Sequence, residues 1–141
     1  MDAPNQTNLP AIRVPRYITR AFIRENRFKL TFIFSDDLTK AAMLGQAAQC
    51  AGEGNCFPVP TKKRNCRTES QYFRDAEFDL LLRYYIDRAL AEVPTKLPVI
   101  PFPDIGCGEA ELPKRAPKTL EYIRLKIQEI AYPNIERVEK L

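Results

Sequence analysis

Seven consecutive residues, Phe28-Lys29-Leu30-Thr31-Phe32-Ile33-Phe34, constrain the fold more than any other stretch. They are rich in aromatic and β-branched side chains, and from Leu30 onward nearly all are apolar. A strand that is apolar on both sides must be covered on both faces, as in a parallel sheet flanked by helices. The rest of the chain supplies the cover. Ahead of the run, Thr19 is placed to cap a short helix carrying Phe22 and Ile23 inward. Beyond it the strand is expected to stop at Ser35-Asp36-Asp37, and residues 38–51 are alanine-rich and helical. Gly45 is a candidate break in that helix, and Gly52-Glu53-Gly54-Asn55 ends it.

Two further extended pieces follow. Cys56-Phe57-Pro58-Val59-Pro60-Thr61 carries proline at alternate positions, which suits a sheet edge or a strand end and not a central ladder. A polar loop, residues 62–70, leads to a long helix that Asp75 can cap and that runs to about Glu92. Its Phe78, Leu81, Leu82, Tyr85 and Ala89 recur at helical spacing. Leu97-Pro98-Val99-Ile100-Pro101-Phe102 is the third extended piece. Pro117 fits the first turn of a last helix, with Leu120, Ile123, Ile127 and Ile130 on one stripe. The expected order is α-β-α-β-α-β-α. It describes a single three-layer α/β domain over residues 17–141, its central sheet mostly parallel, preceded by an N-terminal arm of residues 1–16.

Composition narrows the chemistry. At 141 residues, 45% hydrophobic and 28% charged, the chain has ordinary globular composition. No apolar run approaches the ~20 residues of a membrane span, and no charged segment followed by an apolar block opens the chain, so a cytoplasmic location is expected. Cys50, Cys56, Cys66 and Cys107 lack C-x-x-C spacing and read as free thiols. Histidine is absent. That excludes Ser-His-Asp and Cys-His nucleophile pairs and argues against a transition-metal site, so neither metal nor cofactor is expected. A net charge of +4 falls short of a dedicated nucleic-acid binder.

Ligands of open α/β sheets collect beyond the carboxyl ends of the strands, so the loops starting at Ser35, Thr61 and Asp104 are the candidate sites. In the first, Asp36 or Asp37 can accept hydrogen bonds from a ligand or activate a water; alternatively one of them caps the next helix. Gly45-Gln46-Ala47 either lets backbone approach a ligand or is a tolerated break in a packed helix. In the second loop, Thr61 and Lys62 precede Lys63, Arg64 and Arg67. These cations either neutralise phosphates or form a solvated surface, and no aromatic residue is interleaved among them. The third loop, Ile105-Gly106-Cys107-Gly108-Glu109, has two glycines around one residue, which permits an anion-binding nest of backbone amides. Cys107 inside it is either a reactive thiol or close-packed and inert.

Four stretches carry a resemblance. Phe32-Ile33-Phe34-Ser35-Asp36-Asp37-Leu38, Leu44-Gly45-Gln46-Ala47, Val59-Pro60-Thr61-Lys62 and Asp104-Ile105-Gly106-Cys107-Gly108-Glu109-Ala110-Glu111-Leu112-Pro113 follow in the order of a small family of uncharacterised phage and bacterial proteins. Its motifs are F-x-F-G-D-N-L, G-G-Q-A, I-P-T-K and G-I-G-T-G-x-A-E-L-P. That family resembles the macrodomains, which bind ADP-ribose between a loop after an early strand and a glycine-rich phosphate loop. The resemblance implies that Asp36 and Asp37 lie near a ribose. It also implies that Gly45, Gln46 and Ala47 line the first loop and that residues 105–110 wrap a diphosphate. Here Ser35, Leu44 and Cys107 replace the family's glycine, glycine and threonine, Asp37 replaces its asparagine, and only three strands are legible, fewer than a full macrodomain sheet.

Two expectations follow. One is a nucleotide-binding protein for ADP-ribose or a related diphosphate, with hydrolysis by water held at Asp36 or Asp37. The other is a phage-type interaction protein that keeps the scaffold, has lost the pocket and binds a protein partner. Neither a nucleic-acid nor a membrane partner is expected, and the compartment is the cytoplasm of a bacterium or a phage-infected host.

Overall fold

The computed structural model describes residues 9–37, 47–62, 80–103, 105, 114 and 116–141. In chain order they form β1 (Ile12–Pro15), α1 (Arg20–Glu25), β2 (Thr31–Asp37), α2 (Ala47–Cys50) and β3 (Cys56–Lys62). These are followed by α3 (Leu80–Ala91), β4 (Val99–Pro101), α4 (Pro117–Ile130) and β5 (Ile135–Val138). The protein is an α/β domain of parallel sheets flanked by helices. Among the described residues β2 is central in a three-stranded sheet of order β3-β2-β4, and both of its pairings are parallel. Travel from β2 to β3 and from β3 back across β2 to β4 runs in opposite directions. With right-handed crossovers, α2 and α3 then fall on opposite faces, which is a three-layer arrangement.

Local chemistry explains the elements. Thr19 caps α1, its hydroxyl accepting from the Phe22 amide at 3.2 Å. Ile23 is buried and Phe22 packs against the core. Gly52 follows α2 with φ +78°, a left-handed conformation that a side chain would resist, and the Glu53 amide returns to the Cys50 carbonyl at 2.9 Å. Asn55, buried, donates to the carbonyls of Ile23 at 3.2 Å and Leu30 at 3.3 Å, tying the end of α1 to the start of β2. The prolines of β3 sit as their spacing predicts: Pro58 and Pro60 face Phe34 and Asp36 across the ladder on what is, among the described residues, an edge strand. Pro117 opens α4, and Leu120, Ile123 and Ile127 are buried on its inner stripe with Ile130 packed alongside.

Three expectations are corrected. Ser35, Asp36 and Asp37 belong to β2, because pairing with β3 satisfies their backbone and outweighs their turn propensity. In α3 the buried side chains are Ile86 and Leu90, with Val93 just beyond, whereas Tyr85 is exposed and Ala89 half-buried. The helix carries apolar residues on more than one side, and the inner face lies one position on from the expected stripe. Phe78, the Asp75 cap and the side chains of Leu81 and Leu82 lie outside the described residues. Finally, the sheet is not the only one. Within residues 1–16, β1 pairs in parallel with β5, Ile12 opposite Ile135 and Pro15 opposite Val138, and Val14 is wholly buried.

Candidate functional site

Because β2, β3 and β4 are mutually parallel, their carboxyl ends share one edge of the sheet. Asp36 and Asp37 end β2, and Thr61 and Lys62 end β3. Asp36 faces Pro60 and Asp37 faces Lys62, so Thr61 is an extra residue that interrupts the ladder. Such a bulge bends a strand and re-aims its side chains, and bulges are frequent beside binding sites. Asp36 is half-buried. The chain leaves the same edge from β4, where the Phe102 amide donates to the Ile33 carbonyl at 2.7 Å. The crossovers from β2 to β3 and from β3 to β4 run in opposite directions along the sheet, so the strand order reverses here. A crevice at such a switch point is where open α/β sheets hold ligands.

Among the described residues an open cleft of about 300 Å³ lies beside the end of β4, lined by Pro101, Phe102, Ile105, Arg124, Ile127, Gln128 and Ala131. The Tyr132 amide donates to the Val99 carbonyl at 2.8 Å, so α4 runs back along β4 with its N-terminus toward the carboxyl edge. Ile105 is only 8% exposed and joins the core while lining the cleft. Its side chain therefore belongs to the core more than it covers a ligand. Arg124 and Gln128 are polar lining residues that sequence reasoning missed. Their signal was present, since both fall on the flank of the Leu120-Ile123-Ile127 stripe.

The remaining expected site residues divide simply. Ala47 begins α2, which is tied to α1 by one backbone and one side-chain acceptor: the Arg20 guanidinium donates to the Ala48 carbonyl at 2.8 Å and the Arg20 amide to Gln49 Oε1 at 2.9 Å. Gly45, Gln46, Gly106, Cys107, Gly108 and Glu109 lie outside the described residues, as do Asp104, Lys63, Arg64, Arg67, Cys66 and any cap that Asp36 or Asp37 gives the chain beyond residue 37. Among the described residues no group of three or more histidine, cysteine or acidic side chains could hold a metal. No described helix is long and apolar enough to cross a membrane.

Cys50 and Cys56 are free thiols. A hydrogen bond to Cys56, then burial, then the negative charge of Cys56 and Glu53 push the Cys50 thiol far up, against a smaller opposite effect of Arg20. Cys50 therefore stays protonated at neutral pH, and the thiolate is the reactive form. In the folded protein iodoacetamide is expected to modify half-buried Cys56 well before Cys50, with the difference lost in denaturant. Peptide mass spectrometry of timed samples measures this, and equal native rates would contradict it.

The profile of the family of unknown function DUF7831 matches residues 13–126, and the chain belongs to that family. No curated protein and no solved structure matches the chain.

Proposed function

We propose that this member of a family of unknown function binds ADP-ribose or a related nucleotide diphosphate at the carboxyl edge of the β3-β2-β4 sheet, as the macrodomains it resembles do. The observation that carries the reading is the common direction of β2, β3 and β4, which brings Asp36-Asp37, Thr61-Lys62 and the chain leading to Ile105 to one edge beside an open cleft. In this reading Asp36 and Asp37 accept hydrogen bonds from a ribose. Gly45, Gln46 and Ala47 form one wall, and the amides of Gly106, Cys107, Gly108 and Glu109 wrap the diphosphate. Lys62, facing Asp37 across the ladder, offsets the carboxylate charge that would otherwise repel phosphate. Asp36 or Asp37 would hold the water if the ligand is hydrolysed. A cytoplasmic location belongs to the same proposal.

Titration calorimetry with ADP-ribose tests it. Saturable heat is expected, together with clear weakening in Lys62→Glu, which replaces the compensating cation by a third carboxylate beside Asp36 and Asp37. No heat at about 1 mM ligand, where even a ~4 kcal/mol interaction would register, removes the reading. One observation favours a second reading, a non-enzymatic protein-interaction role. Five of the seven cleft residues (Pro101, Phe102, Ile105, Ile127 and Ala131) are apolar, a lining that suits a protein side chain as well as a nucleotide.

A further inference from the structure

We propose that the turn of residues 26–29, at the amino end of β2, binds single-stranded nucleic acid, with Phe28 as the surface on which a base stacks and Arg27 and Lys29 as its phosphate contacts. Phe28 is 84% exposed, more than any other large apolar side chain among the described residues. Leaving such a ring in water forgoes roughly 1.5–3 kcal/mol of burial.

Nor is the turn loose. The Asn26 carbonyl accepts from the amides of Lys29 at 3.0 Å and Leu30 at 2.9 Å, and the Asn26 side chain donates to the Phe22 carbonyl at 2.9 Å. Buried Asn55 holds the Leu30 carbonyl from beneath. The backbone is fixed on both sides of the ring, and the ring is presented outward.

Charge supplies the second observation. Between residues 9 and 30 stand six cations (Arg13, Arg16, Arg20, Arg24, Arg27 and Lys29) and a single acid, Glu25. The first four have carboxylates within 4 Å: Glu136 for Arg13, Glu139 for Arg16, and Glu53 for Arg20 and Arg24. Among the described residues Arg27 and Lys29 have none. Arg27 lies instead 5.8 Å from the Phe28 ring centroid. The two cations of this stretch without a carboxylate are thus the neighbours of the most exposed ring among the described residues. An aromatic face between cations recognises unpaired bases and their phosphates together. Duplex bases are already stacked and offer no face to it, and membrane insertion draws on a broad apolar surface, whereas Phe28 stands alone between charges. The expectation that nucleic acid is not a partner rested on overall charge and on the cation loop after β3, which has no ring. The Phe28 turn lies at the opposite edge of the sheet, so it stands apart from the nucleotide reading.

The test is fluorescence anisotropy of a labelled oligothymidylate of about 15 nucleotides, and of the matching RNA, against the full chain at about 50 and about 200 mM salt. Phe28→Ala is expected to weaken binding roughly tenfold with an unchanged salt slope, because one stacked base is lost. The double variant Arg27→Gln, Lys29→Gln is expected to lower the slope by about 1.4, the value for two single-strand phosphates. All three side chains are exposed, so thermal unfolding should match wild type. No binding at the lower salt, or wild-type affinity in Phe28→Ala, overturns the proposal. So does wild-type binding to phosphatidylglycerol vesicles that Phe28→Ala abolishes while oligonucleotide affinity is untouched.

Discussion

Phe32→Ala is expected to lower stability by about 3–5 kcal/mol, the range for deleting a wholly buried phenylalanine. Phe32 is 0% exposed on the central strand, between the rings of Phe22 at 6.1 Å and Phe102 at 6.2 Å, both edge-on. The loss combines the transfer of the ring, the cavity it leaves and two aromatic contacts. For a domain of this size the midpoint of thermal unfolding should fall by about 10–15 °C. Phe102 also packs against Phe34 and lines the cleft, so binding at the carboxyl edge should weaken together with the fold. Phe28→Ala is the internal control: it removes the same side chain from four positions away and should change stability by no more than about 0.5 kcal/mol. Thermal and urea unfolding of the two variants checks the contrast. Equal losses would mean that the assignment of which ring faces the core is wrong.

That contrast marks what the sequence can and cannot express. The run from Leu30 to Phe34 announces a strand covered on both faces because all but Thr31 are apolar, and all five residues are buried. The Thr19 cap, the edge prolines of β3 and the inner stripe of α4 were legible for the same reason: each is a local pattern with a local cause. The face of α3 was not. Tyr85 and Ile86 are adjacent and both apolar enough to be core, and only the packing of β3 and α4 selects Ile86. Phe28 read as the start of the strand, since nothing in its composition says that the turn at Asn26 lifts it outward. At the site, Asp36-Asp37 and Thr61-Lys62 were legible as the places where strands give way to loops, though the strands themselves run on through Asp37 and Lys62. The bulge at Thr61 and the flanking Arg124 and Gln128 depend on register and on the path of α4, which no local pattern encodes.

The terminal sheet is the extreme case, and it yields the second large effect. The sequence treats residues 1–16 as an arm, yet deleting them is expected to destabilise the protein by about 4 kcal/mol or more. Wholly buried Val14 alone contributes roughly 1.5–3 kcal/mol. Deletion also removes the partner of β5 and with it the bonds from the Ile12 amide to Asn134 and from the Arg16 amide to Val138. The Tyr132 hydroxyl and the Asn134 side chain lose their acceptors at Pro10 and Leu9. Each net hydrogen bond adds about 0.5–1.5 kcal/mol. The strand left behind, Ile135–Val138, would expose an unpaired edge and promote self-association. Arg13-Val14-Pro15-Arg16 gives no strand signal because it is short, charged and carries a proline; its pairing depends on residues more than 120 positions away. The ion pairs Arg13–Glu136 and Arg16–Glu139 are exposed, so a double alanine variant of the two arginines should cost less than about 1 kcal/mol. Urea unfolding and size-exclusion chromatography of the 17–141 chain beside that variant separate the buried contribution from the charged one. An unfolding midpoint in the truncated chain equal to that of the full chain would show that Val14 and the β1-β5 pairing contribute nothing to the core.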